Sequence, residues 1–292
     1  MFIADFFNYL TYEKRYSPHT IISYKKDIAQ YQKFLEIQET DVLSANHQVI
    51  RNWIVELLDN GIEPRSVNRK VSALRSLYKF LIKEELMEAN PVLKVQAPKV
   101  AKKLPAFLEE KNVSQLLDSE VFTNDFEGRR DKLVLELFFG TGMRLSEAVS
   151  LTDSKIDFDN KTIKVLGKRN KERILPITNT LLMLIKEYIC LKKERFSGNN
   201  LPGLLVTNKG LEIYPKYIYR IVQKYLSLIT SHEKKSPHII RHTFATVLLN
   251  KGADINAIKE LLGHASLAAT QVYTHNSIER IKSIYKQAHP KA

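Results

Sequence analysis

Hydrophobic positions in the first hundred residues recur at helical spacing. FIADFFNYLTYEKR is apolar on one face. SPHTIISYKKDIAQYQKFLE opens with Ser17 as an N-cap and Pro18 at the first helical position. NHQVIRNWIVELLDNG runs into Gly61, a C-terminal stop. In PRSVNRKVSALRSLYKFLIK, Val67, Val71, Leu74, Tyr78 and Leu81 alternate spacings of four and three, the mark of a buried stripe.

A second row on that helix is polar. Arg65, Arg69, Ser72, Ser76, Lys79 and Lys83 keep the same spacing, and no Asp or Glu occurs between Pro64 and Lys83. A ridge of cations and hydroxyls suits phosphates and a DNA groove; a solvated face is the bland alternative. Arg65, Asn68, Arg69, Ser72, Arg75 and Lys79 are the DNA-contact candidates of this segment.

NPVLKVQAPKVAKKLPAFL follows, with prolines and lysines but no acid, and reads as an extended basic linker. The expected division is a helical domain over 1–95, a linker over 96–105 and a second domain over 106–292. The second domain begins with a helix near EEKNVSQLLDS and an apolar helix in RDKLVLELFFGTG that should break at Gly140. SKIDFDNKTIKVLGKRNKERILPI then takes on strand character, with turns at Asp159-Asn160 and over 167–171, giving a three-stranded meander. NTLLMLIKEYICLKKERF, PKYIYRIVQKYLSLI, HIIRHTFATVLLNKG, INAIKELLGH and SLAATQVYTH return to helix. The fold class is mainly α with a small antiparallel sheet in the second domain.

Composition narrows the partner. The chain has 292 residues, for which a length prior suggests about two domains. Its formal net charge is +13. Residues 1–98 carry 13 Lys and Arg against 12 Asp and Glu, whereas residues 99–292 carry 32 against 20. An excess placed this way favours a polyanion, nucleic acid before an acidic membrane surface. The single cysteine, Cys190, cannot form an internal disulfide and sits in an apolar helical segment, where packing is its expected role. With no signal peptide and no long apolar run, a cytoplasmic protein with no membrane contact is expected.

Four short segments carry candidate chemistry: GTGMRLSEA, LGKRNKERILPI, SPHIIRHTFAT and LLGHASLAATQVYTH. Lys168 sits at a hairpin tip, where lysines are ordinarily solvated, but Arg169, Lys171 and Arg173 make the whole tip cationic. His238 and Arg241 are three apart near a helix N-terminus that favours anions, while His242 points elsewhere and reads as structural. Arg144 follows a glycine-flanked break, and Glu147 three residues on either orients a basic neighbour or makes a plain surface ion pair. No carboxylate cluster of the kind that holds catalytic metals accompanies them. Arginines can neutralise charge on a phosphodiester in flight, and a histidine or lysine can move protons. A tyrosine hydroxyl, with an ordinary pKa of about 10, needs such help to become a nucleophile. The set suits metal-free phosphoryl transfer with Tyr273 attacking.

These motifs resemble those of the tyrosine recombinase/integrase family, specifically its Xer-type members, over essentially the whole chain. The shared pattern is an arginine in T-G-x-R-x-S-E, a hairpin lysine, H-x-x-R, a G-H, and a tyrosine nine residues beyond that histidine. The resemblance implies a helical core-binding, SAM-like N-terminal domain and a catalytic C-terminal domain. It puts Arg144, Lys168, His238, Arg241, His264 and Tyr273 in the catalytic positions. Arg144 and Arg241 would clamp the scissile phosphate with His264 assisting, Lys168 would protonate the leaving 5′-hydroxyl, and His238 would help take the proton of Tyr273. Arg169, an expected DNA contact, stands where related sequences often carry a smaller residue.

The resemblance also implies a 3′-phosphotyrosyl intermediate, no cofactor or metal, and four protomers exchanging strands of double-stranded DNA through a Holliday junction. The tetramer would be of one recombinase or of two, and a septal DNA translocase is a possible activator. Ile278, Ile281 and Tyr285 form an apolar stripe on a tail that, by resemblance, docks on a neighbouring protomer; packing on its own domain is the alternative. Readings kept beside dimer resolution are an integrase of a mobile element, a monomeric type IB topoisomerase, and a DNA-binding protein without catalysis.

Overall fold

The structure is a computed structural model that describes residues 2–100, 107–167, 172–197, 201, 203–233, 235–263, 285 and 288. The chain divides into two compact units, Met1–Leu104 and Pro105–Ala292. No helix of the described residues is long and apolar enough to cross a membrane.

The first unit is helical: α1 (Phe2–Asn8) with a π-helical turn at Tyr9–Glu13, α2 (Pro18–Ile37), α3 (His47–Asp59) and α4 (Pro64–Lys83), then a 3-10 turn at Pro91–Lys94. The Ser17 hydroxyl accepts from the Thr20 amide and Pro18 opens α2, as its sequence predicts. All five residues of the α4 stripe, Val67, Val71, Leu74, Tyr78 and Leu81, are buried. They pack with Tyr31 and Trp53, whose rings lie 4.8 Å apart. The buried Tyr78 hydroxyl is satisfied by Val42 O and the Tyr31 hydroxyl, each at 3.0 Å.

The polar row of α4 is not uniform. Asp27 on α2 is fully buried, and it pairs with Lys70 at 3.0 Å and with Arg69. Asn68 donates to Pro98 O at 3.0 Å, which holds the start of the linker on this unit. Of the ridge residues, Asn68 is half-buried against the linker, whereas Arg69 pairs with the buried Asp27 carboxylate yet keeps 44% of its side chain accessible. Arg65, Ser72, Arg75 and Lys79 are exposed as well. Their spacings of seven, three and four keep them on one face. Removing Asp27 strands the mostly buried Lys70 cation, so Asp27→Ala should cost about 3 kcal/mol. Urea unfolding of the chain measures it, and a loss under about 0.5 kcal/mol would mean the pair does nothing for stability.

The second unit is built around α6 (Phe126–Thr141), preceded by α5 (Glu110–Asp118). The Asp125 side chain caps α6 by accepting from the Gly128 amide at 2.8 Å. The helix is buried almost all round, against α8 (Asn179–Arg195) and α10 (Pro237–Asn250). Between α6 and α8 come the short α7 (Leu145–Val149) and three strands, β1 (Ile156–Asp157), β2 (Thr162–Leu166) and β3 (Glu172–Pro176). They pair antiparallel in chain order, with Ile163 opposite Leu175 and Val165 opposite Arg173. This is the expected meander; its second turn, 168–171, lies outside the described residues. α9 (Pro215–Leu226) and α11 (Ile255–Leu262) complete the described elements. The segment SLAATQVYTH lies outside them.

One boundary is corrected. α6 does not break at Gly140, which is buried within the helix. It ends at Gly142, whose φ of +62° is left-handed. A Cβ there would stand 2.4 Å from the Phe244 ring, so both backbone conformation and space require glycine. Phe244 belongs to α10, so this contact is tertiary and GTG alone does not say which glycine caps the helix.

Of the tail stripe, Ile278 and Ile281 lie outside the described residues. Tyr285 is buried in the core of its own unit, where its hydroxyl donates to Gly140 O at 2.7 Å. Burial, and next the nearby Glu136, hold that phenol well above its ordinary pKa.

Candidate active site

Arg144 sits immediately before α7, two residues past the left-handed Gly142. Glu147 turns back on it: one carboxylate oxygen accepts from the Arg144 amide at 2.6 Å and the other from Arg144 Nη1 at 2.9 Å. Both bonds run from Arg144 to Glu147, and together they fix the backbone that presents the guanidinium. Glu147 is 3% exposed, so its contact is not a surface ion pair.

The remaining oxygen capacity of Glu147 goes to Arg173. Nη1 and Nη2 donate to the two carboxylate oxygens at 2.6 and 2.8 Å, and Nε donates to Leu261 O at 2.9 Å. Arg173 is 4% exposed and is not part of a cationic hairpin tip. Strand alternation explains the correction: Arg173 shares the inward face of β3 with Leu175, whereas Glu172 points out. That signal was available in ERILP as a period of two, but an arginine on the inner face is not readable as such without the carboxylate it meets.

Arg241 comes from α10. It donates to Leu262 O at 2.6 Å and also to Gly142 O. Arg144 Nη2 donates to Gly263 O at 2.6 Å. Three arginines from three separate segments thus hold three consecutive carbonyls, Leu261, Leu262 and Gly263, at the end of α11. These carbonyls have no partner within the helix and form its negative end. Gly263 turns left-handed with φ +62°, and a Cβ there would lie within 3.3 Å of both the Arg144 and Arg173 guanidiniums. The next residue is His264.

Both expected phosphate-clamping arginines therefore converge on one turn. Arg144 keeps 27% of its side chain accessible; Arg241 is buried to 9%. Burial pushes the Arg241 guanidinium down to about 10, and the like charges of Arg144 and Arg173 push the same way, partly offset by Glu147. An anion beside Arg241 would relieve that repulsion. Burial raises Glu147, but the bonds from Arg173 and Arg144 outweigh it and hold the carboxyl below its ordinary value. A carboxyl depressed in the fold stabilises it above the ordinary carboxylate range, and that contribution is lost as pH falls through the depressed value. The stability advantage of the wild type over Glu147→Gln, read from urea midpoints, should be full near about pH 7 and shrink toward about pH 3. An advantage that stayed constant would show that the carboxylate charge is not what binds the arginines.

His238 lies in the first turn of α10, exposed and three residues before Arg241. His242 is exposed too. Lys168, Arg169, His264 and Tyr273 lie outside the described residues. The residue that sequence reasoning missed is Arg173.

Comparison with known proteins shows the family. Residues 106–280 match the model of the Phage integrase family, and residues 3–85 match the Phage integrase, N-terminal SAM-like domain. The chain is similar to the tyrosine recombinase XerC of Bacillus subtilis (strain 168), 37% identical over 297 residues, covering 100% of this chain and 97% of the relative. XerC of Chlorobaculum tepidum is 33% identical, with 99% of this chain and 94% of the relative covered. In fold, the chain is similar to a XerH site-specific recombinase in a post-cleavage complex with difH substrate, with TM-score 0.71, 22% identity, and coverage of 90% and 78%. A lambda integrase dimer bound to a core site gives TM-score 0.69 at 18% identity, with 93% and 98% covered.

Proposed function

Because the chain belongs to the Phage integrase family of tyrosine recombinases, and within it to the Xer type, we propose that Tyr273 is its nucleophile in resolving chromosome or plasmid dimers. Site-specific DNA recombination by strand transfer is the activity of the family. The observation that carries the finer reading is the convergence of Arg144 and Arg241 on the single turn that leads into His264.

The step balances as follows. The Tyr273 oxygen forms a bond to phosphorus and its phenolic proton passes to His238. The bond from phosphorus to the 5′-oxygen breaks, and that oxygen takes a proton from Lys168. The product is a 3′-phosphotyrosyl link and a free 5′-hydroxyl. A 5′-hydroxyl from the partner strand then reverses the step, so bond energy is conserved and rejoining calls for neither ATP nor metal. Charge growing on the non-bridging oxygens meets fixed guanidiniums from Arg144 and Arg241, with His264 as a further donor.

We place this on double-stranded DNA with four protomers and a Holliday junction, either as one recombinase or with a second. Arg65, Ser72, Arg75 and Lys79 on α4 supply phosphate contacts, and Arg169 joins them from the catalytic unit. Near-full-length similarity to proteins named XerC supports the dimer-resolution role. The test is a nicked duplex, selected from a random pool by the wild-type chain, whose cut fragment diffuses away. A covalent adduct that survives denaturant and EDTA is expected. No adduct from a chain that binds the duplex would refute the assignment.

A further inference from the structure

We propose that Arg173 is a positioning residue for strand cleavage: by taking up the charge of Glu147 it leaves Arg144 and Arg241 free to meet the phosphate. This rests on the reading of the site given above.

The charge balance is the argument. Glu147 must be ionised to accept from the Arg144 amide and guanidinium, and that contact orients Arg144. Without a third cation, however, the same carboxylate would cancel the charge of the arginine it orients. Arg173 supplies that cation from β3, buried and bidentate on Glu147. Three arginines and one carboxylate leave two net positive charges. A phosphodiester carries one negative charge and the five-coordinate phosphorus formed during attack carries two. The cluster therefore matches the transition state better than the ground state.

The third contact of Arg173 gives it a second role. Nε on Leu261 O ties Glu147 to the end of α11. The carbonyls held by Arg241 and Arg144 are the next two, so Arg173 shares with them the task of fixing the arginine-bearing segments against the end of α11. A lysine offers its three donors from one nitrogen and has neither the planar fork nor the separate Nε direction needed to do both.

The experiment uses the full chain and the selected nicked duplex. Arg173→Gln should lower the rate of adduct formation about 100-fold. Duplex affinity should change less than about threefold, because the residue is buried and its donors are spent on Glu147 and Leu261 O. Arg173→Gln/Glu147→Gln restores two net positive charges and should recover about tenfold of the lost rate. A duplex with methylphosphonate at the cleaved position separates charge from folding. That group carries one negative charge fewer, so its rate penalty relative to phosphate should be about tenfold smaller in Arg173→Gln than in wild type. A purely structural role would lower both rates equally and leave the penalty unchanged, which would overturn the proposal. So would a double variant slower than the single one. If wild type cleaves and these ratios do not move, the Arg173 assignment alone fails. If wild type binds and forms no adduct, the functional reading fails and takes this proposal with it.

Discussion

Tyr273→Phe should abolish covalent capture of the nicked duplex while leaving duplex binding intact. The substitution removes one oxygen and no charge, so phosphate contacts along the groove are unchanged. Loss of the nucleophile ends chemistry altogether; the residual rate should fall by at least about 10⁴-fold. Denaturing gels of trapped complexes read the first quantity and gel shifts the second. Tyr285 is the obvious competitor near the C-terminus, but its hydroxyl is buried on Gly140 O and its pKa is raised, both of which disfavour a phenolate. An adduct persisting in Tyr273→Phe at the wild-type rate would mean that another tyrosine is the nucleophile.

Arg144→Ala is the second large effect. It removes a preorganised donor from the phosphate and should slow cleavage about 10³-fold. Affinity should fall much less, within about tenfold, because on the proposed reading many other cations share the phosphate contacts. Arg144→Lys should recover little, since the fork that reaches Glu147 and Gly263 O together is lost. The fold should persist, because Arg173 still pairs with Glu147 and holds Leu261 O. Equal losses in cleavage and affinity would reduce Arg144 to one phosphate contact among many. Raising salt should weaken binding by wild type and variant in parallel, as counterion release governs both.

Much of the chain was legible before any coordinates. The five-residue stripe of α4, the Ser17-Pro18 start of α2 and the meander with its first turn at Asp159-Asn160 all depend on interactions within one element or between adjacent ones. The site was legible as residue types at fixed spacing, Arg144 with Glu147 three residues on, His238 with Arg241, and the glycine before His264. The ridge of α4 was legible only in part: its period identified a face, but the period cannot say that Asp27, more than forty residues away, claims Arg69 and Lys70.

The amino-acid order alone determined which residues form helices and strands, which faces are apolar, and that arginines, histidines and a tyrosine recur at the spacing of the family's motif. Those properties follow from local backbone preference and from periods of two and of three to four residues. Tertiary structure decided which glycine ends α6, that Arg173 turns inward to Glu147, and that three guanidiniums seize successive carbonyls at the end of α11. These depend on groups 21 to 119 residues apart meeting with the right geometry. Long-range pairing of buried charge is governed by which unsatisfied donors and acceptors the packed core brings together, and no local pattern encodes that.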